Sequence, residues 1–467
     1  MKTECNIPQL QLHALHSRDI IAKFDGGSIT SDSGAFLLRE VEKSTHILKR
    51  LSDCFIDYRN PKLIEHTVEA LIKQRVFGIA MGYEDLNDHE RLRQDPFLGV
   101  LCEKQDPTGS DRCMERDKGK ATAGKSTLNR LELGAVTTNR YKKIAPNMTD
   151  IDNLLVDLFI ESYASAPKEI VFDVDATDDR IHGNQEGRFF HGYYGNYCYL
   201  PLYIFCEDQL LCARLRTADR DASDGLLVEL ERIVERVRAA WPEVRIVIRG
   251  DSGFCRDPIM NWCETNGVDY VLGLSKNKRL EANIITEMEE AKKLHEETGQ
   301  EARVFKDFRY RTLNSWACER RVVGKAEYLN QGANPRFVVT SLGTELQGKE
   351  LYEKVYCARG EMENRIKEQQ LYLFADRTST HWMSSNQLRL YFASFAYVII
   401  ETLRRLALAG TELAKAQCHT IRLKLFKIGA QIRVTVRKVW LSISDSYPFA
   451  DLLSRVLARL QQIPLRL

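Results

Sequence analysis

The chain has 467 residues, 44% hydrophobic and 28% charged, with a formal net charge of +2. That composition belongs to an ordinary globular protein of about two to four domains and excludes a low-complexity or disordered chain. No global field announces a polyanionic partner, but the charge is uneven: Thr402–Leu467 holds twelve Lys and Arg against three Asp and Glu. A local basic block of that kind fits phosphate contact, or else a solvated helix face. The twelve cysteines form no C-x-x-C pair and no Cys/His cluster of zinc spacing. Cys198, Cys206 and Cys212 lie in apolar runs and read as buried small hydrophobes in a reducing cytoplasm without disulfides. The start MKTECNIPQLQ lacks the apolar stretch of a signal peptide. The most apolar run, Tyr391–Ile400, ends at Glu401, Arg404 and Arg405 and is too short to cross a bilayer, so no membrane contact is expected.

In chain order, residues 1–165 read as mainly helical after a β-like start, IIAKFDGGSITSDSGAFLL. Pro61–Gly82 has helical apolar spacing. Residues 104–126 are a polar loop. Ser126 then reads as the N-cap of a short helix packed through Leu128, Leu131 and Leu133. Within this stretch GKATAGKS matches the phosphate-loop pattern G-x-x-x-x-G-K-[ST] literally. A working phosphate loop needs an apolar strand before it, and SDRCMERDK cannot be one. The loop with Lys125 at a helix N-terminus fits contact with a DNA backbone better than nucleotide binding.

From Glu169 the texture changes. IVFDV, YCYLPLYIFCED and LLCARLRTADRD read as strands, the last two as a hairpin. Asp224–Ala240 is an amphipathic helix, RIVIRGD a strand, PIMNWCETNG a short helix, VDYVLGLS a strand, and Arg279–Glu297 a charged helix. Ala302–Thr312, Cys318–Leu329 and Arg336–Leu342 form a β-rich insertion. MSSNQLRLYFASFAYVIIETLRRLAL is a long buried helix that closes the core. GRFFHGYYGNYCY, aromatic and Gly-rich, either stacks on bases or packs as a hairpin.

Three acids stand out. Asp175 and Asp251 each follow an apolar strand, and Glu363 lies on a helix beyond the insertion. Carboxylates gathered by a fold hold hard cations such as Mg²⁺. Two such ions about 3.5–4 Å apart stabilise both oxygens of an in-line phosphoryl transfer. The chemistry expected is therefore the cutting or joining of nucleic acid. Asp173, on the same strand face as Asp175, is the alternative ligand there, and Glu361 is the alternative to Glu363. Asp251 has a plain reading too, as an Asp-Ser-Gly turn. At regular helical spacing Tyr356, Arg359, Glu363, Lys367 and Gln370 form one polar stripe, suited to a metal ligand beside phosphates or to an exposed lattice of ion pairs.

With these residues and this β-β-β-α-β-α-β order the chain resembles a DDE-type transposase of bacterial insertion sequences, in the branch with a β-strand insertion before the Glu. The resemblance covers roughly residues 165–400. It extends more weakly to RNPKLIEHTVEALIKQRVFGIAMGYEDLNDHERLRQDP and STLNRLE. It implies an α/β fold: an RNase-H-like catalytic core with a β-rich insertion, behind a mainly helical N-terminal region. It implies Asp175 (with Thr177), Asp251 and Glu363 as catalytic metal ligands, two Mg²⁺ ions, and Mn²⁺ as a substitute. The family signature runs Tyr, two residues, Arg, three, Glu, six, Lys. Tyr356, Arg359 and Glu363 fit it, but Gln370 stands in the last place, and Lys367 one turn earlier is the substitute cation. Trp316, in the insertion, is either a platform for a flipped base or a core residue.

The expected regions are 1–165 for DNA binding, 166–298 for the first part of the core, 299–348 for the insertion, 349–410 for its Glu-bearing end, and 411–467 for DNA contact or dimerisation. The implied activity is cut-and-paste DNA transposition. Its partners are double-stranded DNA, the terminal inverted repeats, a target duplex and a second copy in a synaptic homodimer. The implied place is the bacterial cytoplasm, on the nucleoid when bound. Two rivals are a stand-alone nuclease or resolvase on the same core and a catalytically silent DNA-binding descendant.

Overall fold

The computed structural model describes residues 9–132 and 139–464. The chain divides into two compact units. One comprises Met1–Asn147, Tyr372–Phe374 and Phe395–Leu467, the other Met148–Leu371 and Ala375–Ser394.

The second unit is built on one mixed sheet. β-branched and aromatic runs supply its first five strands: β1 (Glu169–Ala176), β2 (Leu202–Cys206), β3 (Gln209–Arg214), β4 (Arg245–Gly250) and β5 (Asp269–Leu274). β6 (Ala302–Tyr310), β7 (Arg320–Leu329) and β8 (Arg336–Thr340) follow. The spatial order is β3-β2-β1-β4-β5-β8-β7-β6. β1, β2 and β3 are antiparallel neighbours, while β4 runs parallel to both β1 and β5. The arrangement 3-2-1-4-5 is that of an RNase-H-like core. β8 pairs antiparallel with β5, so the insertion strands continue the core sheet directly.

Helices α1 (Met148–Glu161), α2 (Leu226–Ala240) and α3 (Asp257–Thr265) have apolar stripes that supply the core. α2 buries Leu226, Leu230, Ile233, Val234 and Val237, the three-and-four spacing of one helix face. Phe159 packs edge-on against Phe172 and Trp241. Cys198, Cys206 and Cys212 are buried, and the described cysteines form no disulfide.

Two elements differ from the sequence reading. The run Tyr197–Asp208 is not one strand. Asn196–Tyr199 joins a small separate sheet with Phe189–His191 and Asp179–Arg180, and β2 begins only at Leu202. Pro201 lies between them; it has no N–H for a ladder and breaks the strand. The charged helix is also divided, into Lys278–Asn283 and α4 (Ile285–Thr298). Between them the Ile284 side chain is drawn fully into the core, over Gly324, where a Cβ would lie 2.7 Å from it.

In the first unit the hairpin Leu10–Leu15 and Arg18–Ala22 precedes a bundle whose main helices are Phe36–Thr45, Val68–Met81 and Ala450–Gln461. Val68–Met81 is capped by the Thr67 side chain and stopped by Gly82 at φ 96°. The strand Ser28–Thr30 pairs with Ala430–Val434, so this unit is made from both ends of the chain. The short helix spans Lys125–Glu132 and begins one residue before Ser126, which therefore lies in the first turn instead of capping it. Leu128 and Leu131 are buried as expected, while Leu133 lies outside the described residues. A 3-10 turn (Glu115–Asp117) and not a strand leads into Gly119, so GKATAGKS is not a phosphate loop. No described helix is long and apolar enough to cross a membrane.

One polar clamp crosses the middle of this sheet. Arg249 on β4 stands directly opposite Asp173 on β1. Its guanidinium donates to both Asp173 oxygens, Nε at 2.5 Å and Nη2 at 2.7 Å, and Nη1 donates to the Val355 carbonyl at 2.5 Å. Removing one partner of a buried pair strands the other charge. Arg249→Ala and Asp173→Ala should each lower stability to urea by about 3–5 kcal/mol. The double variant should lose clearly less than the two added together. Additive losses would show that the pair is not coupled.

Candidate active site

Three elements of the second unit converge at one end of the sheet. β1 delivers Asp175 two residues beyond the clamp, and β4 ends at Gly250, which places Asp251 just beyond the strand. The third element is a helical stretch of mixed pitch. It has a π-helical turn at Leu351–Tyr356, a 3-10 turn at Cys357–Arg359, the helix α5 (Gly360–Lys367) and a second π-helical turn at Glu368–Tyr372.

Asp175 Oδ1 accepts from the Ala176 amide, and Oδ2 accepts from Arg359 Nη1 at 3.3 Å. Arg359 Nη2 donates to Glu363 Oε1 at 3.1 Å. The guanidinium thus bridges two of the three acids. Asp251 caps the turn after β4 through Oδ1, which accepts from Gly253 N at 2.8 Å. The turn reading was correct as geometry, and it spends only one carboxylate oxygen. Burial lifts the Asp175 carboxyl to about 6; Arg359 pulls it down, and the charges of Asp251 and Glu363 push it up. Asp175, Asp251 and Glu363 therefore share one electrostatic neighbourhood.

Among the described residues no three acidic, Cys or His side chains stand close enough to hold an ion. Arg359 occupies the space between Asp175 and Glu363 and supplies the positive charge there. The donor chemistry, oxygen-only and rich in negative charge, fits a hard divalent cation once Arg359 turns away.

The even polar stripe read from the sequence does not survive the π-helical turns, each of which shifts the phase of the residues beyond it. Arg359 and Glu363 remain partners. Tyr356 turns inward, and its hydroxyl sits where a Cβ on Gly273 would come within 2.6 Å. Only glycine leaves room at that point of β5. Lys367 is exposed. Gln370 is turned to the core, donating to Asp178 O at 3.2 Å and Asp179 Oδ1 at 3.0 Å.

The alternatives also find their places. Asp173 is not available as a ligand, because Arg249 binds both of its oxygens. Glu361 lines another recess, with Asp173 and Arg249. Trp316 offers no face to a base: it is 5% exposed, packed edge-on against Tyr310, with Arg320 over its ring. Burial in the insertion core decides this, and the base-stacking role read for it is withdrawn. Lys125 is exposed at the start of its helix, with Nζ donating to Asn87 at 3.1 Å. The aromatic segment forms a hairpin that leaves Phe190, Tyr193 and Tyr197 exposed.

A cleft of about 400 Å³ opens beside Asp251, lined by Ser252, Lys276, Arg336, Tyr352 and Tyr356 among others. Lys276 and Arg336 escaped the sequence reading. Lys276 follows a strand end, where ligand sites gather in open α/β sheets, and that signal was there to use. Arg336 opens β8, and only the pairing of β8 with β5 brings it near.

The family model described as transposase DDE domain group 1 matches residues 12–465. A solved structure with similarity to the chain is the piggyBac transposase synaptic complex with hairpin DNA, determined by cryo-electron microscopy. It is 11% identical, with a TM-score of 0.40, over 85% of this chain and 80% of that one. Among curated proteins nothing matches.

The raised Asp175 carboxyl has a pH consequence. In the unfolded chain it ionises near its ordinary 3.8, in the fold near 6, so its ionisation disfavours the fold increasingly between those values and constantly above them. Asp175→Asn removes that cost, up to about 3 kcal/mol, offset in part by the weaker pairing of Arg359. Without divalent ions the variant should melt above the unsubstituted protein at pH 8, and the difference should vanish near pH 4. Melting curves at both pH values check this. A variant less stable at pH 8 would show that the carboxylate is stabilising.

Proposed function

We propose, from the premise that the chain belongs to the transposase DDE domain group 1 family, that it cuts the ends of a bacterial insertion sequence and joins them to a target duplex. The observation that carries the reading is the placement of Asp175, Asp251 and Glu363. Two acids stand at neighbouring strand ends and the third on α5, and the half-buried Asp175 carboxyl feels the charge of the other two.

Asp175, Asp251 and Glu363 would hold Mg²⁺, two ions in the full site, with Mn²⁺ as a substitute. Such ions supply a nucleophile at neutral pH and stabilise charge on the attacked phosphate. The chain's own part is binding and alignment. Arg359, once released from the carboxylates, has a planar fork that matches a phosphate. Tyr356 and the cations Lys276 and Arg336 give the cleft beside Asp251 a polar, positively charged wall. Lys367, exposed at the end of α5, takes the cationic place at which Gln370 stands in the signature. Water is the first nucleophile and the freed 3′-hydroxyl the second. Family likeness points to a hairpin on the element end, to terminal inverted repeats as the recognised DNA, and to a homodimer that pairs two ends and acts in trans on the nucleoid. The N-terminal region, Lys125 included, and the basic C-terminal region hold the duplex in this reading.

Asp251→Ala should abolish cleavage of an end-containing duplex in Mg²⁺, by about a thousandfold or more if the ions contribute several kcal/mol. Binding should persist, because affinity comes mainly from cations on phosphates. Chelation of divalent ions should have the same effect on the unsubstituted protein. Cleavage at the normal rate by Asp251→Ala would sink the mechanism. Cleavage without joining to a second duplex would favour the nuclease reading.

Lys367→Ala should lower the slope of log affinity against log salt by about one, as expected for one lost phosphate contact. Gln370→Ala should instead lower the melting temperature and leave that slope alone, because its amide is spent on Asp178 and Asp179. The reverse pattern would return the signature position to Gln370.

A further inference from the structure

The strands Ala430–Val434 and Val439–Ile443 form a hairpin of the first unit whose tip, residues 435–438, is exposed. The register sorts its side chains into two faces. Ala430 and Ile432 are buried, while Gln431 and Arg433 alternate with them and are exposed. Gln431 pairs with Ser442 and with Ile29 of the neighbouring strand, and Arg433 with Trp440. One place further along, the same face carries Thr435 and Lys438, whose backbones close the turn at 2.8 Å. Val436 and Arg437 form the two-residue tip, and Val436 is fully exposed. The outward face is thus a ribbon with one exposed indole flanked by two cations, Arg433 at 5.9 Å and Lys438 at 5.2 Å from its ring centre.

The charge on this ribbon is unbalanced. Between Glu412 and Asp445 the sequence holds no acid. Several cations of that stretch are spent inside the unit: Arg422 on backbone carbonyls, Lys427 on Asp32, Lys424 over Phe449. Arg433, Arg437 and Lys438 are exposed and have no ion pair among the described residues. The inner cations thus each have a partner within the unit, while three cations on one exposed hairpin face no acid. An exposed indole and an exposed valine beside them add apolar surface that nothing described covers.

We infer that this hairpin is a ribbon that enters a groove of duplex DNA, with Arg433, Arg437 and Lys438 on the flanking phosphates and Trp440 and Val436 against sugars or base edges. A two-stranded ribbon is one of the shapes the major groove admits. Cations at its margins meet the charge that lines the groove. A second protein surface is the other occupant of an aromatic hairpin, but three unpaired cations without an acid favour a polyanion. The inference rests on the reading that the chain acts on DNA. It does not depend on the three acids.

The experiment measures binding of a fluorescent 30-base-pair duplex by the full chain across a range of salt, with Asp251→Ala as the background so that no DNA is cut. The triple variant Arg433→Ala, Arg437→Ala, Lys438→Ala should lower the slope of log affinity against log salt by nearly three, at about 0.9 per lost contact. Affinity at 100 mM salt should fall at least tenfold. A control triple at Lys292, Lys293 and Lys354, exposed cations of the other unit, changes the net charge equally and should leave the slope unchanged. Arg437→Glu alone, at the tip, keeps the test open if the triple folds poorly, and should weaken binding with an unchanged melting temperature. Equal slopes for the hairpin triple and the unsubstituted background would overturn the ribbon. So would a hairpin triple that alters only the oligomeric state by light scattering. A background protein that binds no duplex at all would overturn the DNA reading itself, and the ribbon with it.

Discussion

The catalytic unit depends on the buried pair of Asp173 and Arg249 and on its third bond to Val355. A parallel sheet aligns its strand ends only if the register of its central pair is fixed. In most of β1 and β4 buried apolar side chains specify that register. The bidentate ion pair directly across the ladder fixes it further, since its two short bonds need one alignment. The bond to Val355 then ties the segment that leads into α5 to the same point. One guanidinium therefore locates the strand that ends at Asp175, the strand that ends before Asp251, and the stretch that leads to Glu363. A buried ion pair adds little net stability over an apolar substitute, so its use here is better explained by geometry than by energy.

Beyond the clamp the site is built against stability. Asp175 is desolvated near two like charges, which Arg359 and the Ala176 amide offset in part. Burial and the charges of Asp251 and Glu363 together hold the Asp175 carboxyl above its ordinary range. Arg359 offsets part of that cost, because its guanidinium donates to two carboxylates at once.

The legible part of this fold was the part written in local patterns. β1, β4 and β5 are β-branched runs, α2 is an amphipathic stripe, and Asp251 follows its strand in a turn that short sequence rules describe. Element order then gave the RNase-H-like arrangement. What was not legible depends on pairings between distant segments, or on departures from a regular period. The even stripe from Tyr356 to Gln370 assumed one pitch, and two π-helical turns and a 3-10 turn intervene. Trp316 was ambiguous because an aromatic in a β-rich segment looks the same whether it faces a ligand or the core. Asp173 and Asp175 share a strand face and could not be told apart without Arg249, which lies 76 residues beyond Asp173.

The long separation between Asp251 and Glu363 follows from the sheet. β8 pairs with β5, and β7 and β6 follow outward, so the insertion does not hang from the core but widens it. Its cost is a long detour in the chain. Its effect is to bring Arg336 to the edge of the cleft beside Asp251, where Lys276 and Tyr356 arrive from β5 and from the stretch before α5. Gly273 completes the arrangement, since a side chain there would displace the Tyr356 hydroxyl and press on the turn that holds Asp251. The wall beside Asp251 thus carries two cations and two tyrosines drawn from three separate segments. The insertion is therefore part of the wall of the cleft beside Asp251, to which it supplies Pro335, Arg336 and Phe337.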